Sequence, residues 1–391
     1  MVSCNKGAFH RAKKPESPRE RRKKQAWGNE MSRITPTRRA TLKAAIGLAA
    51  LSAAPRIAHA QDRKVTRVLD FDTTADVAKA EAEGELVFYT HDGESAASEV
   101  MKAFSADFPK IKANYVRAQN GAIYSKLLAE RSANRFSVDV VQFSEVTTAL
   151  DFQKRGGYQR HMSPQLPAYD AKYLSNEPGY FFWAGITFAG IAYNTDKVKA
   201  EDAPKSWKDL LDPRWRNGMS TKQATSGLQF IEWYELRRLY GPDFWKSFAK
   251  QRPRGFDSRV QMFDRLAKGD DKVCALAEFA GYALYKEKGA PIALVIPEDG
   301  MPASPVVAGA VDKAPHPEAA LLFIDWLMSP RGAKLYQTNL QLFYPSLRKD
   351  AEPMPGGARL RDFKLLSPTD MADAIAAHDT FNKEWNGMLG L

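Results

Sequence analysis

Four short stretches carry residue types able to do chemistry. "HDGES" at 91–95 supplies His91, Asp92 and Glu94. An imidazole beside carboxylates suits acid–base work, but also a polar loop that caps the following helix or holds a solute. "KQATSGLQF" sets Thr225, Ser226 and Gly227 directly before a long amphipathic pattern. Free backbone N–H groups and two hydroxyls at the positive end of a helix suit phosphate, phosphonate, carboxylate or carbonate. The same residues also make a plain N-cap. "GYFFWAGITF" at 179–188 has four aromatics in succession. On a strand only alternate side chains share a face, so some line a core while Phe182 or Trp183 faces a cleft. The "SE" at 144–145 completes the set with Glu145. There is no HExxH, GxSxG, Walker loop or GxGxxG. Of the histidines beyond residue 60 (91, 161, 316 and 378), no two have metal-ligand spacing. The chain reads as a non-enzyme that needs no cofactor.

The elements that must position these residues alternate. "GELVFYT" (84–90), "IKANYVRA" (111–118) and "VDVVQF" (138–143) read as strands, separated by helical patterns at 96–104 and 124–131. "FAGIAYNT" (188–195) is a further strand, and "GLQFIEWYELRRLYG" a strong helix. "CALAEFAGYALYKEKGAP" reads as strand, turn and helix, "IALVIP" as a strand, and 317–328 as a long helix. Such alternation predicts a largely parallel sheet with helices on both faces. Ligands of open α/β sheets sit beyond the carboxyl ends of the strands. That rule selects "THDGES", "QNGAIY" with Asn120 and Tyr124, "SE", and "ATSG".

The N-terminus accounts for the charge. Of 57 Lys+Arg and 46 Asp+Glu, residues 1–60 hold 14 and 3, which leaves 43 of each. The remainder is neutral, so no basic face for nucleic acid is expected. "TRRATLKAAIGLAALSAAPRIAHAQ" (37–61) joins an arginine pair, a short apolar run and Ala58-His59-Ala60, a small-x-small cleavage site. The run is about half of the roughly 20 residues that span a bilayer. It therefore reads as a removed secretory signal of the twin-arginine type, cut after Ala60, with Met31 as the start. Export to the periplasm follows, by way of the twin-arginine translocase and signal peptidase. Removal of the leader takes Cys4 and leaves Cys274, so no internal disulfide forms.

In order and spacing, "GELVFYTHDGESAASEVMKAF", "VDVVQFSE", "GIAYNT", "WKDLLDPRW", "ATSGLQF", "YKEKGAPIALVIPEDG" and "PEAALLFIDWLMSPRGAKLYQ" resemble the type II periplasmic solute-binding proteins of ABC importers. The nearest group is the ferric-ion-binding proteins. The resemblance implies an α/β fold of two lobes, residues 61–188 with 303–391 and residues 189–302. Two crossing hinge strands, near 186–194 and 300–308, join them, and a cleft between them closes on ligand. Ferric binders hold the metal with two adjacent tyrosines, a histidine and a glutamate. Here the glutamate matches Glu145, the tyrosines fall on Phe279 and Ala280, and the histidine falls on Gly93. The anion site is retained at Thr225, Ser226 and Gly227, with Arg259 as a bidentate clamp or a surface arginine.

The expected function is the capture of a small organic solute, anionic or zwitterionic, for an ABC permease in the inner membrane by a monomeric protein. The helix end and Arg259 take the acidic group. His91, Glu94, Asn120, Tyr124 and Glu145 close over the rest, and Trp183 and Phe279 form apolar walls. Glu145 or Glu278 receives an ammonium. No metal is expected, unless Glu145 serves iron. The alternatives are ferric iron held with exogenous anions and, more remotely, a periplasmic hydrolase.

Overall fold

The computed structural model describes residues 63–224, 227–339, 342–354 and 359–391. The signal segment lies outside the described residues, as do Thr225 and Ser226. Three parallel strands open the main sheet: β3 (Glu85–Thr90), β4 (Lys112–Arg117) and β5 (Val140–Phe143). A small antiparallel pair precedes them, β1 (Thr66–Val68) and β2 (Phe71–Thr73), with helix α1 (Val77–Glu83). The intervening helices are α2 (Glu94–Asp107), α3 (Asn120–Ser132) and α4 (Val146–Lys154). Every residue of β5 is buried, as expected of a parallel strand covered on both faces.

Two long strands carry the chain between halves. β6 (Phe182–Asn194) is antiparallel to β11 (Met301–Ala310) along its first part. Its second part pairs with β9 (Val273–Glu278) and β10 (Ile292–Val295). β11 returns to pair with β5. The second half adds β7 (Met219–Lys222) and β8 (Arg254–Phe256), parallel to each other, with β7 also parallel to β9. The order along the sheet is β4-β3-β5-β11-β6-β9-β7-β8. The expected crossing pair is thus β6 and β11. β6 begins six residues before the pattern at 188 indicated, because the end of the aromatic run, Phe182 and Trp183, already belongs to it.

Helices α5 (Leu228–Tyr240), α6 (Asp243–Ala249), α7 (Arg259–Lys268) and α8 (Phe279–Glu287) pack on the second half. α9 (Pro317–Met328) and α10 (Pro330–Thr338) pack on the first. α9 is apolar nearly all round and almost wholly buried, which fits a helix inside a core rather than on its surface. Its two acids are paired. Glu318 accepts from Arg63 at 2.8 Å, and Asp325 meets His161 and Thr73 at 2.7 and 2.6 Å. The last helix, α11 (Met371–Leu389), corrects an expectation. The resemblance places all residues after 303 in the first half, yet Ala374, Phe381, Trp385 and Leu389 are buried with Phe230, Trp233 and Trp245 of the second. The hydrophobic demand of Trp385 and Phe381 is met there.

Cys274 lies in β9 with no exposed surface, and burial pushes its thiol up to about 12. A thiol without thiolate is a poor nucleophile. At pH 8 the folded protein is expected to leave Cys274 unalkylated by iodoacetamide, and urea to expose it. Peptide mass spectrometry reads both states.

Candidate functional site

The carboxyl ends of the parallel strands bring one set of polar side chains from each half. After β3 come His91 and Asp92, with Gly93 as N-cap of α2. After β4, Asn120 is the first residue of α3, and after β5, Glu145 is the N-cap of α4. From the second half, Lys222 closes β7, Gly227 caps α5, Arg259 opens α7, and Glu278 ends β9. Gly227 has φ 61°, in the left-handed region that favours glycine. A Cβ there would lie 3.4 Å from Ser144 Oγ, so the two halves approach closely at this point.

The electrostatics tie the sets together. Arg259 donates to Glu278 at 2.8 Å. Burial pushes the Glu278 carboxyl up, but the charges of Arg259 and Lys222 outweigh it and hold it below the usual range. His91 is pushed down, first by burial. The Asp92, Glu278 and Glu145 carboxylates oppose that shift, and Arg117 adds to it. A neutral His91 is therefore favoured among these charges. The Asp92 carboxylate is buried and accepts from the Tyr344 hydroxyl at 2.7 Å. Phe279 stacks on Phe188, with ring centroids 4.9 Å apart, and lines a small cavity with Arg259 and Glu278.

The structure gathers His91, Glu145, Gly227, Arg259, Glu278 and Phe279 at this crevice. Asn120 works as a support. Its Nδ2 donates to Glu145 Oε1 at 3.2 Å, and its Oδ1 accepts from Ser144 N at 3.0 Å. Trp183 is half-buried and tilts against Tyr173, and it borders a cavity of about 40 Å³ that also touches Glu145, Phe230 and Met371. Two predicted residues are engaged elsewhere. Glu94 is exposed and accepts from the Tyr115 hydroxyl at 2.8 Å. Tyr124 packs edge-on to Phe143 and Phe152, and its hydroxyl donates to Asp151.

The resemblance puts the ferric binders' tyrosine pair at Phe279 and Ala280. Phe279 and Ala280 form the first turn of α8 and offer no oxygen. Two phenols lie further along the same helix. Tyr285 donates to Asp264 and stacks on Phe263, and Tyr282 packs on Phe279. Among the described residues no cluster of three His, Cys, Asp or Glu is placed to hold a metal. Sequence reasoning missed Tyr344 and His378. His378 Nε2 stands 3.1 Å from Glu145 Oε2, and nothing local in sequence links residue 378 to residue 145.

Two α/β halves joined by crossing strands, with a polar crevice at the strand ends between them, form the two-lobed fold of binding proteins. Residues 137–364 match the family model of the bacterial extracellular solute-binding proteins, and the chain belongs to that family. An uncharacterized protein of Haemophilus influenzae is 25% identical over 269 residues, covering 66% of this chain and 76% of that one. The fold is similar to the periplasmic binding protein AfuA of Actinobacillus pleuropneumoniae, whose structure holds exogenous fructose-6-phosphate. That match has 22% identity and a TM-score of 0.68, over 79% of this chain and 99% of that one. It is also similar to iron-bound HitA of Pseudomonas aeruginosa, with 19% identity and a TM-score of 0.67, over 78% and 99% of the two chains. The chain is thus an extracellular solute-binding protein, the class that the sequence motifs implied.

Proposed function

We propose that the crevice captures a small organic solute bearing an oxyanion, a phosphate, phosphonate or carboxylate, and that the protein hands it to an inner-membrane ABC permease. The observation that carries this reading is the pairing of Lys222 and Arg259 around Glu278, with the N-terminus of α5 also in the second half at the crevice. A guanidinium, an ammonium and a helix dipole of the same sign favour an anion. Glu278, beside Arg259, and Glu145, on the other half, suit an ammonium on the same molecule, so a zwitterion fits as well. AfuA with its sugar phosphate is compatible with this chemistry.

In the same reading the chain is exported by the twin-arginine route, is cut after Ala60 and acts as a monomer. Its lobes comprise 61–188 with most of 303–391, and 189–302 joined by α11. Native mass spectrometry of the protein from periplasm, compared with the denatured mass, tests the proposal. An excess matching a small phosphorylated or carboxylated compound is the expected result. An excess of one iron would replace the proposal with ferric transport.

A further inference from the structure

His378 lies on a helix whose other side-chain hydrogen bonds and ion pairs to the rest of the fold, among the described residues, go to the second half. Tyr234 on α5 donates to Asp373 at 2.7 Å, and Arg237 pairs with Glu384 at 3.1 Å. Asn386 accepts from the Ala224 N–H at 3.2 Å. The imidazole of His378 stands edge-on to Phe230, 4.7 Å between centroids. Its charged neighbour, Glu145, is fixed just as firmly to the first half. Glu145 is 5% exposed and is held by Asn120 on Oε1 and by Thr147, at 3.3 Å, on Oε2. An imidazole anchored on one side of the crevice thus meets a carboxylate anchored on the other at 3.1 Å.

We propose that His378 and Glu145 form an ionic clasp across the crevice that holds the two halves closed and yields as His378 loses its proton. His378 is thereby a positioning residue for solute capture, acting through closure rather than by touching the solute. The inference rests on the hinged two-lobed reading and is independent of which solute is bound.

The charges that reach His378 are Glu145 across the crevice and Asp379 on its own helix, and the ring that α5 turns to it, Phe230, is uncharged. The Glu145 carboxylate, at ion-pair distance from Nε2, raises the imidazole above its ordinary value, against the lowering effect of burial. The sign follows from linkage. A pKa raised in the closed state makes the clasp complete below the open-state value, about 6.5. It is lost as pH climbs through the raised value.

The test needs no solute. Exposed Lys102 and Lys250 are replaced by cysteine in a chain carrying Cys4→Ser. Buried Cys274 stays unlabelled, and double electron–electron resonance measures the distance at pH 5.5 and 9. The original pair should favour the short distance at pH 5.5 and shift to the long one at pH 9. A change of about five- to tenfold in the closed-to-open ratio is expected of one partly buried ion pair. His378→Gln and Glu145→Gln should each give the long distance at both pH values, and His378→Lys should keep the short one at pH 9. Superimposable distributions for the parent and both glutamine variants, or an unchanged pH shift in His378→Gln, would overturn the clasp. Circular dichroism identifies any variant that fails to fold, and the other glutamine variant then decides.

Discussion

Arg259→Ala is expected to weaken solute affinity about ten- to a hundredfold, the range of a lost charge-assisted hydrogen bond. Two effects add. The oxyanion loses its fork of donors, and the Glu278 carboxylate, paired with Arg259 at 2.8 Å, loses its counter-charge while half-enclosed in the same wall. An ionised Glu278 would then repel an anion directly. Arg259→Lys should fall between, because a point charge replaces a bidentate fork. Glu278→Gln separates the two kinds of solute. It should tighten a simple anion, which no longer competes for Arg259, and weaken a zwitterion, which loses the partner of its ammonium. Isothermal titration with the compound released from the purified protein measures all three. An Arg259→Ala affinity within twofold of the parent would remove Arg259 from the site.

How much of this site was legible depends on where its residues lie relative to their strands. Gly227 and Glu145 each follow a strand within a few residues, so strand–helix alternation and the carboxyl-end rule select them, whereas Arg259 enters only with the family resemblance. Glu94 and Tyr124 satisfied the same rule and are engaged elsewhere. The pattern fixes the loop but not the rotation of the helix that starts in it. α3 begins at Asn120, four residues ahead of the helical pattern at 124. That turns Tyr124 one turn in from the helix end, toward Phe143 and Phe152. The continuous β6 was less visible, because an aromatic run on a strand buried over most of its length loses the alternation that marks a half-exposed one. His378 was invisible for a different reason. Its contact with Glu145 spans two halves of the fold, and only the packing of α11 creates it.

That packing makes Trp385 the residue on which the clasp depends. Its ring is fully buried and meets Trp245 edge-on at 4.5 Å, and its indole N–H donates to the Lys222 carbonyl at 3.2 Å. Trp385→Ala is expected to cost about 3–5 kcal/mol of stability, the range for deleting a buried aromatic, read as a lowered urea midpoint. Trp385→Phe keeps most of the apolar volume and should cost less. It still leaves the Lys222 carbonyl, at the end of β7 and the edge of the crevice, without the indole donor. His378, Phe381 and Trp385 lie at i, i+3 and i+7, one face of the same helix. Loosening Trp385 therefore loosens the placement of His378. In labelled protein at pH 5.5, the Trp385→Phe variant should shift part of the population to the longer distance while Arg259 and Glu278 remain intact. Full retention of the short distance would mean that Phe381 and the Arg237–Glu384 pair seat the helix without the indole.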